Sequence, residues 1–310
     1  MVDFFNDCYS SIVFKNKFLR AIKFYSFCRF FIRVSANIVL PFYFLLTRNN
    51  KKYILEESIK KKGRYIVSFT SFPSRINNVW MVIESILHQT QKPDMIILWL
   101  SKKQFLSLDD LPKSLLNLQK RGLKIELRDE DLRSHKKYYY FLKEYSEDYL
   151  ITIDDDIFYR SNMLKTLFDY SLKYSNCVIS NYSHVLCYKD ATLLSYEQVD
   201  RNIKKECVDN ANLFFGSGGG TLFPPNCFFS DVLNIDLAMK LCPMADDVWL
   251  NAMVRLNKVK IVKTNYFSVI LPVLKIGDIK LYESNQNGGN DSQILAVNNY
   301  YYNFFGRFIF

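Results

Sequence analysis

The 310-residue sequence has only three histidines, His88, His135 and His184, and its seven cysteines form no C-x-x-C pair. Zinc fingers and ribbons need such spacings, so a structural zinc module is excluded. An odd, unpatterned set of cysteines is no disulfide framework, and reduced thiols in a cytoplasmic setting are expected. No G-x-G-x-x-G follows an apolar run and no G-x-x-x-x-G-K-[ST] occurs anywhere. The first absence argues against a dinucleotide-binding turn and the second excludes a P-loop. The longest uncharged run near the N-terminus is Val34–Thr47, 14 residues, short of the ~18–20 that a bilayer span needs. With Asp3 and Asp7 at the start and no small-residue cleavage site after the apolar run, a cleaved signal peptide is not expected. Repeats and low-complexity linkers are also missing.

What is present is a globular composition, 49% hydrophobic and 23% charged, with 26 Phe and 21 Tyr. The net charge of +10 is uneven. Residues 1–64 hold 13 Lys and Arg against four acidic residues, leaving about +1 for the other 246. A nucleic-acid binder carries its charge on the folded body, so nucleic acid is not expected as a partner. Charge on an appendage suits an anionic membrane surface. On a helical wheel Lys15, Lys23, Ser26, Arg29 and Arg33 share a face, with Phe14, Phe18, Phe24, Cys28, Phe31 and Ile32 opposite. Peripheral attachment to the cytoplasmic face of the plasma membrane is the first expectation. The alternatives are a helix packed on the protein's own core or a second subunit, and a true span. The C-terminal "YYYNFFGRFIF" has the same aromatic-basic character and is expected to share the task. Three regions result: a helical segment 1–62, a globular domain 63–275, and a closing segment 276–310.

After the "KKKGR" linker, strands are expected at 64–70, 95–100, 123–128 and 149–153. Helices are expected at 76–88 and 135–145, with another opened by Asp110 and Pro112 and stopped by Gly122. This alternation predicts an α/β fold with a mostly parallel sheet, helices on both faces, and ligands beyond the carboxyl ends of the strands. There stands "YLITIDDDIFYRS", with Asp154, Asp155 and Asp156 in a row. Three adjacent carboxylates repel one another unless a cation answers them. Hard oxygen ligands one residue apart select Mg²⁺ or Mn²⁺, which completes its shell with water and substrate phosphates. A diphosphate is the natural guest, and a solvated acidic turn the plain alternative. Asp246 and Asp247 open a helix in "LCPMADDVWLNAM". One Asp suffices as a cap, so the second is a candidate base. In "NLFFGSGGGTLFPP", Gly216 and Gly218, Gly219 and Gly220 allow unusual backbone angles or close approach of a ligand. The reading is a substrate-contacting loop, against a tight turn.

Together, "IVSFTSFPSRI", "ILHQTQKPDMIILWLS", "DLRSHKK", "ITIDDDIFY", "GSGGGTLFPP", "CPMADDVWLNAM" and "GGNDSQ" resemble the GT-A-fold glycosyltransferases over about residues 64–300. The likeness is to bacterial enzymes that build surface polysaccharides such as capsule and lipopolysaccharide. It implies a GT-A-type, Rossmann-like sheet and a hexosyltransferase that moves sugar from a nucleotide-diphosphate donor, a UDP-sugar first among them. The acceptor would be a hydroxyl of a glycan or lipid-linked saccharide. By the resemblance, Asp156 is the principal Mn²⁺ or Mg²⁺ ligand and Asp154 or Asp155 the ribose or second metal contact. Thr70 to Arg75, with Phe72, matches the segment that wraps the base. Asp131 and Lys136 fall where base and phosphate contacts are placed. Asp247 corresponds to the base of inverting members, and Asp246 replaces a Glu beside it. The family often adds a C-terminal His to the metal; here no His follows His184, so Asn290 or Asp291, or water and phosphate, must stand in. A retaining transferase shares these motifs. A haloacid-dehalogenase-type phosphohydrolase expects Thr or Val where Phe158 stands and its motif at the start of the core. A non-catalytic glycan-binding module is the third rival.

Overall fold

The computed structural model describes residues 1–12, 16–48, 63–190, 192–201, 203–209, 212–266, 269–274 and 289–310. Phe14, Lys15, most of the "KKKGR" linker, the boundary expected at 62, and residues 276–288 of the closing segment lie outside that set. Three helices come first, α1 (Val2–Ser11), α2 (Lys17–Ala21) and α3 (Phe24–Thr47). The four expected strands follow as β1 (Tyr65–Thr70), β2 (Met95–Ser101), β3 (Leu123–Arg128) and β4 (Tyr149–Ile153). Between them run α4 (Val79–Leu87), the short α5 (Lys113–Leu116) and α6 (Lys136–Glu144). The helix expected after Asp110 is broken into turns. Ser107 caps a 3₁₀ turn at 108–110, Pro112 sits at the cap of α5, and Gly122 ends the run at φ +105°.

The second half adds α7 (Met163–Lys173), β5 (Val178–Ser180), β6 (Ser183–Val185), β7 (Tyr188–Lys189), β8 (Thr192–Leu193) and β9 (Cys207–Asp209). Then come β10 (Leu213–Phe215), β11 (Gly219–Phe223), α8 (Ile235–Leu241), α9 (Asp246–Leu256), β12 (Ile261–Lys263) and α10 (Asn290–Phe305). The main sheet has eight strands in the order β3-β2-β1-β4-β11-β5-β12-β9. β3, β2, β1 and β4 are mutually parallel, β11 runs antiparallel between β4 and β5, and β12 is parallel to β5. The fold class is thus α/β with a mostly parallel, Rossmann-like sheet.

Continuous apolar strands such as "MIILWL" reflect burial on both faces. Alternate residues feed two cores. Val67, Phe69, Ile96 and Leu98 face the side covered by α3, α4 and α7; Ile66, Ile97 and Trp99 face the side of α6, α9 and α10. All seven cysteines are free.

The N-terminal helices dock on the first of these faces. α3 buries Ala36, Leu40 and Phe44, spaced four apart on one helix edge. The Asn37 amide donates to the Pro272 carbonyl and accepts from the Leu274 N–H. Asp3 accepts from Ser161, and Asp7 pairs with Arg160 at 2.7 Å. The expectation of a helix on the protein's own core is therefore met along one edge, while the other stays exposed. The C-terminal tail packs in the second core. Phe310 is buried against Phe214, and the Ile309 and Phe310 N–H groups donate to Asn298, all in the second core.

A buried carboxylate fastens α3 to α4. Glu84 is fully buried, 2.9 Å from Arg48 at the end of α3 and 2.5 Å from the buried Arg121. Removing one partner of such a cluster leaves charge uncompensated. Glu84→Gln should lower unfolding stability by about 3–5 kcal/mol, read as a reduced urea midpoint. An unchanged midpoint would show that the cluster holds nothing.

Candidate active site

The acidic triplet leaves the carboxyl end of β4 in the middle of the sheet, and its three side chains diverge. Asp155 turns inward. Its side chain is 7% exposed, accepts from the Ser71 hydroxyl at 2.5 Å and pairs with Arg75 at 2.7 Å. Asp154 and Asp156 stay partly open, 44% and 34% exposed. Asp156 is 2.9 Å from Arg75, and Asp154 is 3.1 Å from the ammonium of Lys137. Two protein cations therefore answer the triplet, where only a metal was expected from the sequence. Arg75 belongs to the segment expected to wrap a base. Its guanidinium lies over the Phe72 ring, 5.2 Å from the centroid, and Thr70 at the mouth of β1 donates to the Trp99 carbonyl.

Lys137 was missed from the sequence. Of the adjacent pair at the start of α6, Lys136 pairs with Asp131 at 2.5 Å, and Asp131 also accepts from Gln104 and the Arg133 N–H. Successive helical residues point about 100° apart, so its neighbour enters the cleft. Lys137 reaches Asp154 on one side and Asp246 at 2.9 Å on the other. Its backbone carbonyl accepts from Ser68 inside β1, and the Trp99 indole donates to the same hydroxyl. Ser68, Trp99 and Lys137 each lie in a quoted motif, but their contact joins three separate segments and no spacing in the sequence announces it.

Asp246 and Asp247 open α9 but do not cap it; Ala245 is the cap residue and no side chain bonds there. Instead both carboxylates address Ser217. Its hydroxyl donates to Asp246 at 2.7 Å and its N–H to Asp247 at 2.6 Å. The two acids then diverge chemically. Burial works against the charge of Asp246, but the adjacent Lys137 ammonium, His135 and the Ser217 hydroxyl together outweigh it and hold the group below the usual carboxylate range. Asp247 is pushed up to about 7 by burial and then by the charge of Asp246. Burial likewise opposes the charge on Lys137, but Asp154, Asp246 and Asp247 hold it well above the ordinary lysine value. Two neighbouring carboxyls with separated affinities for a proton fit a division of labour, one structural anion and one base poised near neutrality.

The glycines of "GSGGG" make close approaches to the protein itself. A Cβ on Gly218 would lie 1.7 Å from the Asp154 carboxylate, and one on Gly219 would lie 2.2 Å from Tyr182. Gly220 has φ +90°. The Tyr159 hydroxyl ties the two loops, accepting from the Asp154 N–H at 2.8 Å and donating to the Gly218 carbonyl. From the C-terminal segment, Gln293 accepts from the Met244 and Ala245 N–H groups and so fixes the lead into Asp246. Asn290 bonds the Tyr196 side chain, while Asp291 accepts from Ser195 and the Tyr196 N–H. Both are thus engaged with the 195–196 segment.

A divalent cation fits Asp154 and Asp156. They are the two open carboxylates of the triplet, and Asp156 is pushed up to about 7 by burial and then by Asp154, a shortage of positive charge. Among the described residues no three His, Cys, Asp or Glu side chains form a metal cluster. A hard ion held here would take its remaining ligands from water and substrate oxygens.

No protein-family model matches this chain, and no curated protein matches it. By shape, the α/β fold with an acidic cluster at its strand ends is similar to several solved structures, none with a TM-score of 0.5. One is a mannosyltransferase from Pyrobaculum calidifontis in complex with GDP-Man and Mn²⁺, 10% identical over 81% of this chain and 69% of that one, TM-score 0.45. An apo UDP-glucose pyrophosphorylase is 11% identical over 79% of this chain and 100% of that one, TM-score 0.42. The third is glucosyl-3-phosphoglycerate synthase from Mycobacterium tuberculosis with Mn²⁺, UDP and phosphoglyceric acid. It is 17% identical over 40% of this chain and 44% of that one, TM-score 0.29.

Lys137→Met removes the ammonium shared by Asp154 and Asp246 while keeping the side-chain volume. Unfolding stability should fall by about 3–5 kcal/mol at neutral pH and recover partly in mild acid, where the orphaned Asp246 takes a proton. Stability equal to wild type at pH 7 would remove Lys137 from the centre of the site.

Proposed function

We propose that this protein is a glycosyltransferase that moves a sugar from a nucleoside-diphosphate donor to an acceptor hydroxyl with inversion. The acceptor class we infer is a growing surface glycan or lipid-linked saccharide. The observation that carries the reading is the pairing of two half-sites across one ammonium. On one side of Lys137 stand the open carboxylates Asp154 and Asp156, and on the other the poised Asp247 beside an ionised Asp246. Diphosphate chemistry needs the first half-site and hydroxyl activation the second.

Asp247 accepts the acceptor's proton as that oxygen bonds to the anomeric carbon. The bond from that carbon to the phosphate oxygen breaks, and its electron pair leaves with the nucleoside diphosphate. Asp246, locked by Lys137 and Ser217, is not available for this step and sets the local field instead. Arg75 and Lys137 are the chain's own cations beside the departing charge. A Mn²⁺ or Mg²⁺ held by Asp154 and Asp156 would supply further neutralisation of the diphosphate when bound. Asp155, buried on Ser71 and Arg75, keeps the loop in place. Phe72 and Thr70, with Asp131 and Lys136 beyond, line the direction in which the nucleotide extends.

Incubation with nucleotide sugars, Mn²⁺ and saccharide acceptors should release the nucleoside diphosphate with growth of the acceptor. Release of inorganic phosphate, or no turnover with any donor, would contradict the assignment. Asp247→Asn should abolish transfer by about two to four orders of magnitude while sparing nucleotide binding. Because a base works only when deprotonated, wild-type kcat/KM should climb as pH rises through about 7. Wild-type rates in Asp247→Asn would sink the base assignment. Gly218→Ala should swing the Asp154 carboxylate aside and weaken Mn²⁺ binding in calorimetry while the thermal midpoint stays within a few degrees. Unaltered Mn²⁺ affinity would take Asp154 out of the ion's hold.

A further inference from the structure

α3 is held to the domain along one edge only. Opposite that edge Phe24, Phe27, Phe31, Ile38, Phe42 and Leu45 recur at helical spacing, each between 45% and 64% exposed. Ser35 fills the one gap in the series, and no charge interrupts it. At 1.5 Å per residue the 24-residue helix carries this stripe for roughly 36 Å. A soluble monomer rarely leaves so long an apolar face to water. We propose that this face of α3 lies in the plane of an anionic lipid bilayer as a monotopic anchor, with the globular domain resting above it. The inference stands apart from the catalytic assignment and does not depend on it.

Charge selects the occupant. Between Asp7 and Glu56 the sequence has nine Lys and Arg and no carboxylate; Arg29 donates to the Ile12 carbonyl and Arg48 pairs with Glu84, so these two are held by the protein itself. A second copy of the chain would set the exposed cations of this segment against their like, whereas anionic headgroups answer them. Lys17 and Lys23 are exposed at the start of the stripe, beside the exposed Phe18 of α2 and Ile22 just after it. Aromatic rings with cationic neighbours are the composition of the headgroup boundary.

The helix is long and apolar enough to cross a membrane, with a mean hydropathy of 1.6 over its best window. Crossing would strip Ala36, Leu40 and Phe44 from the core. It would also break both Asn37 bonds to the 272–274 strap and withdraw Arg48 from the buried Glu84. Lying flat keeps every one of these contacts and still gives the exposed stripe to lipid. The C-terminal Phe304 and Phe308 are exposed as well, but they belong to the face across the sheet and take no part.

The test uses the full chain and preformed vesicles of phosphatidylcholine alone or mixed with phosphatidylglycerol. Co-sedimentation should be strong only with phosphatidylglycerol and should weaken with salt. Phe27→Glu and Phe31→Glu, both on the solvent side, should each reduce the partition coefficient by about tenfold or more without shifting the thermal midpoint. An N-terminal fluorophore on vesicle-bound protein should be quenched completely by an impermeant reductant added outside. A protected N-terminus would mean a span and overturn the proposal. So would equal binding to neutral vesicles, unchanged partition of the two variants, or concentration-dependent dimerisation through this face with no vesicle binding.

Discussion

The site is governed by a shortage of positive charge. Five carboxylates, Asp154, Asp155, Asp156, Asp246 and Asp247, crowd the carboxyl end of β4 and the start of α9, and two protein cations, Arg75 and Lys137, stand among them. Each cation is shared, Arg75 between Asp155 and Asp156 and Lys137 between Asp154 and Asp246. Burial adds to the deficit. Asp156 and Asp247 are both pushed up to about 7, within reach of a proton at neutral pH. In the proposed reaction a divalent cation beside Asp154 and Asp156 would relieve one end of the deficit, and a proton taken from an acceptor hydroxyl by Asp247 would relieve the other. The same imbalance thus drives both halves of the proposed reaction.

The architecture exists to hold that imbalance in place. The four parallel strands bring β4 to the centre of the sheet, and antiparallel β11 lays the glycine loop beside it. Gly218 makes room for the Asp154 carboxylate, and Tyr159 bolts the two loops together. Ser217 touches both acids of α9, so that pair is indexed to the same loop that adjoins Asp154. Below, Ser68 and Trp99 fix the backbone of Lys137 from within the core. The acidic cluster is thus positioned by packed strands.

Much of this was readable in the chain. The strands were marked by apolar runs, unbroken in "MIILWL" and interrupted by a single hydroxyl in "YLITI" and "YIVSFT", and each ends within a residue or two of its expected bound. The acid triplet and the pair at 246–247 stand out by charge alone. What stayed hidden was long-range. Which of two adjacent lysines enters the cleft depends on the rotational setting of α6, which Ser68 decides from another strand. That the glycines serve the protein's own close contacts, Gly218 against Asp154 and Gly219 against Tyr182, needs the third dimension. The helix expected from Asp110 to Gly122 was over-read, since Ser107 offers a competing cap and Pro112 restarts the turn. The role of the N-terminal segment was half legible. Its greasy and basic composition is evident, but the edge that docks on the core is set by Ala36, Leu40 and Phe44 and their partners far along the chain.

The account stands on the claim that this acid cluster is completed by a divalent ion together with a nucleoside diphosphate. The direct measurement is the thermal midpoint of the full chain with UDP and GDP, with Mn²⁺ or Mg²⁺ present and after chelation. The account predicts that a nucleotide and an ion together raise the midpoint well beyond the sum of their separate effects. An unmoved midpoint with every such pair, under conditions where the protein is folded, would contradict it.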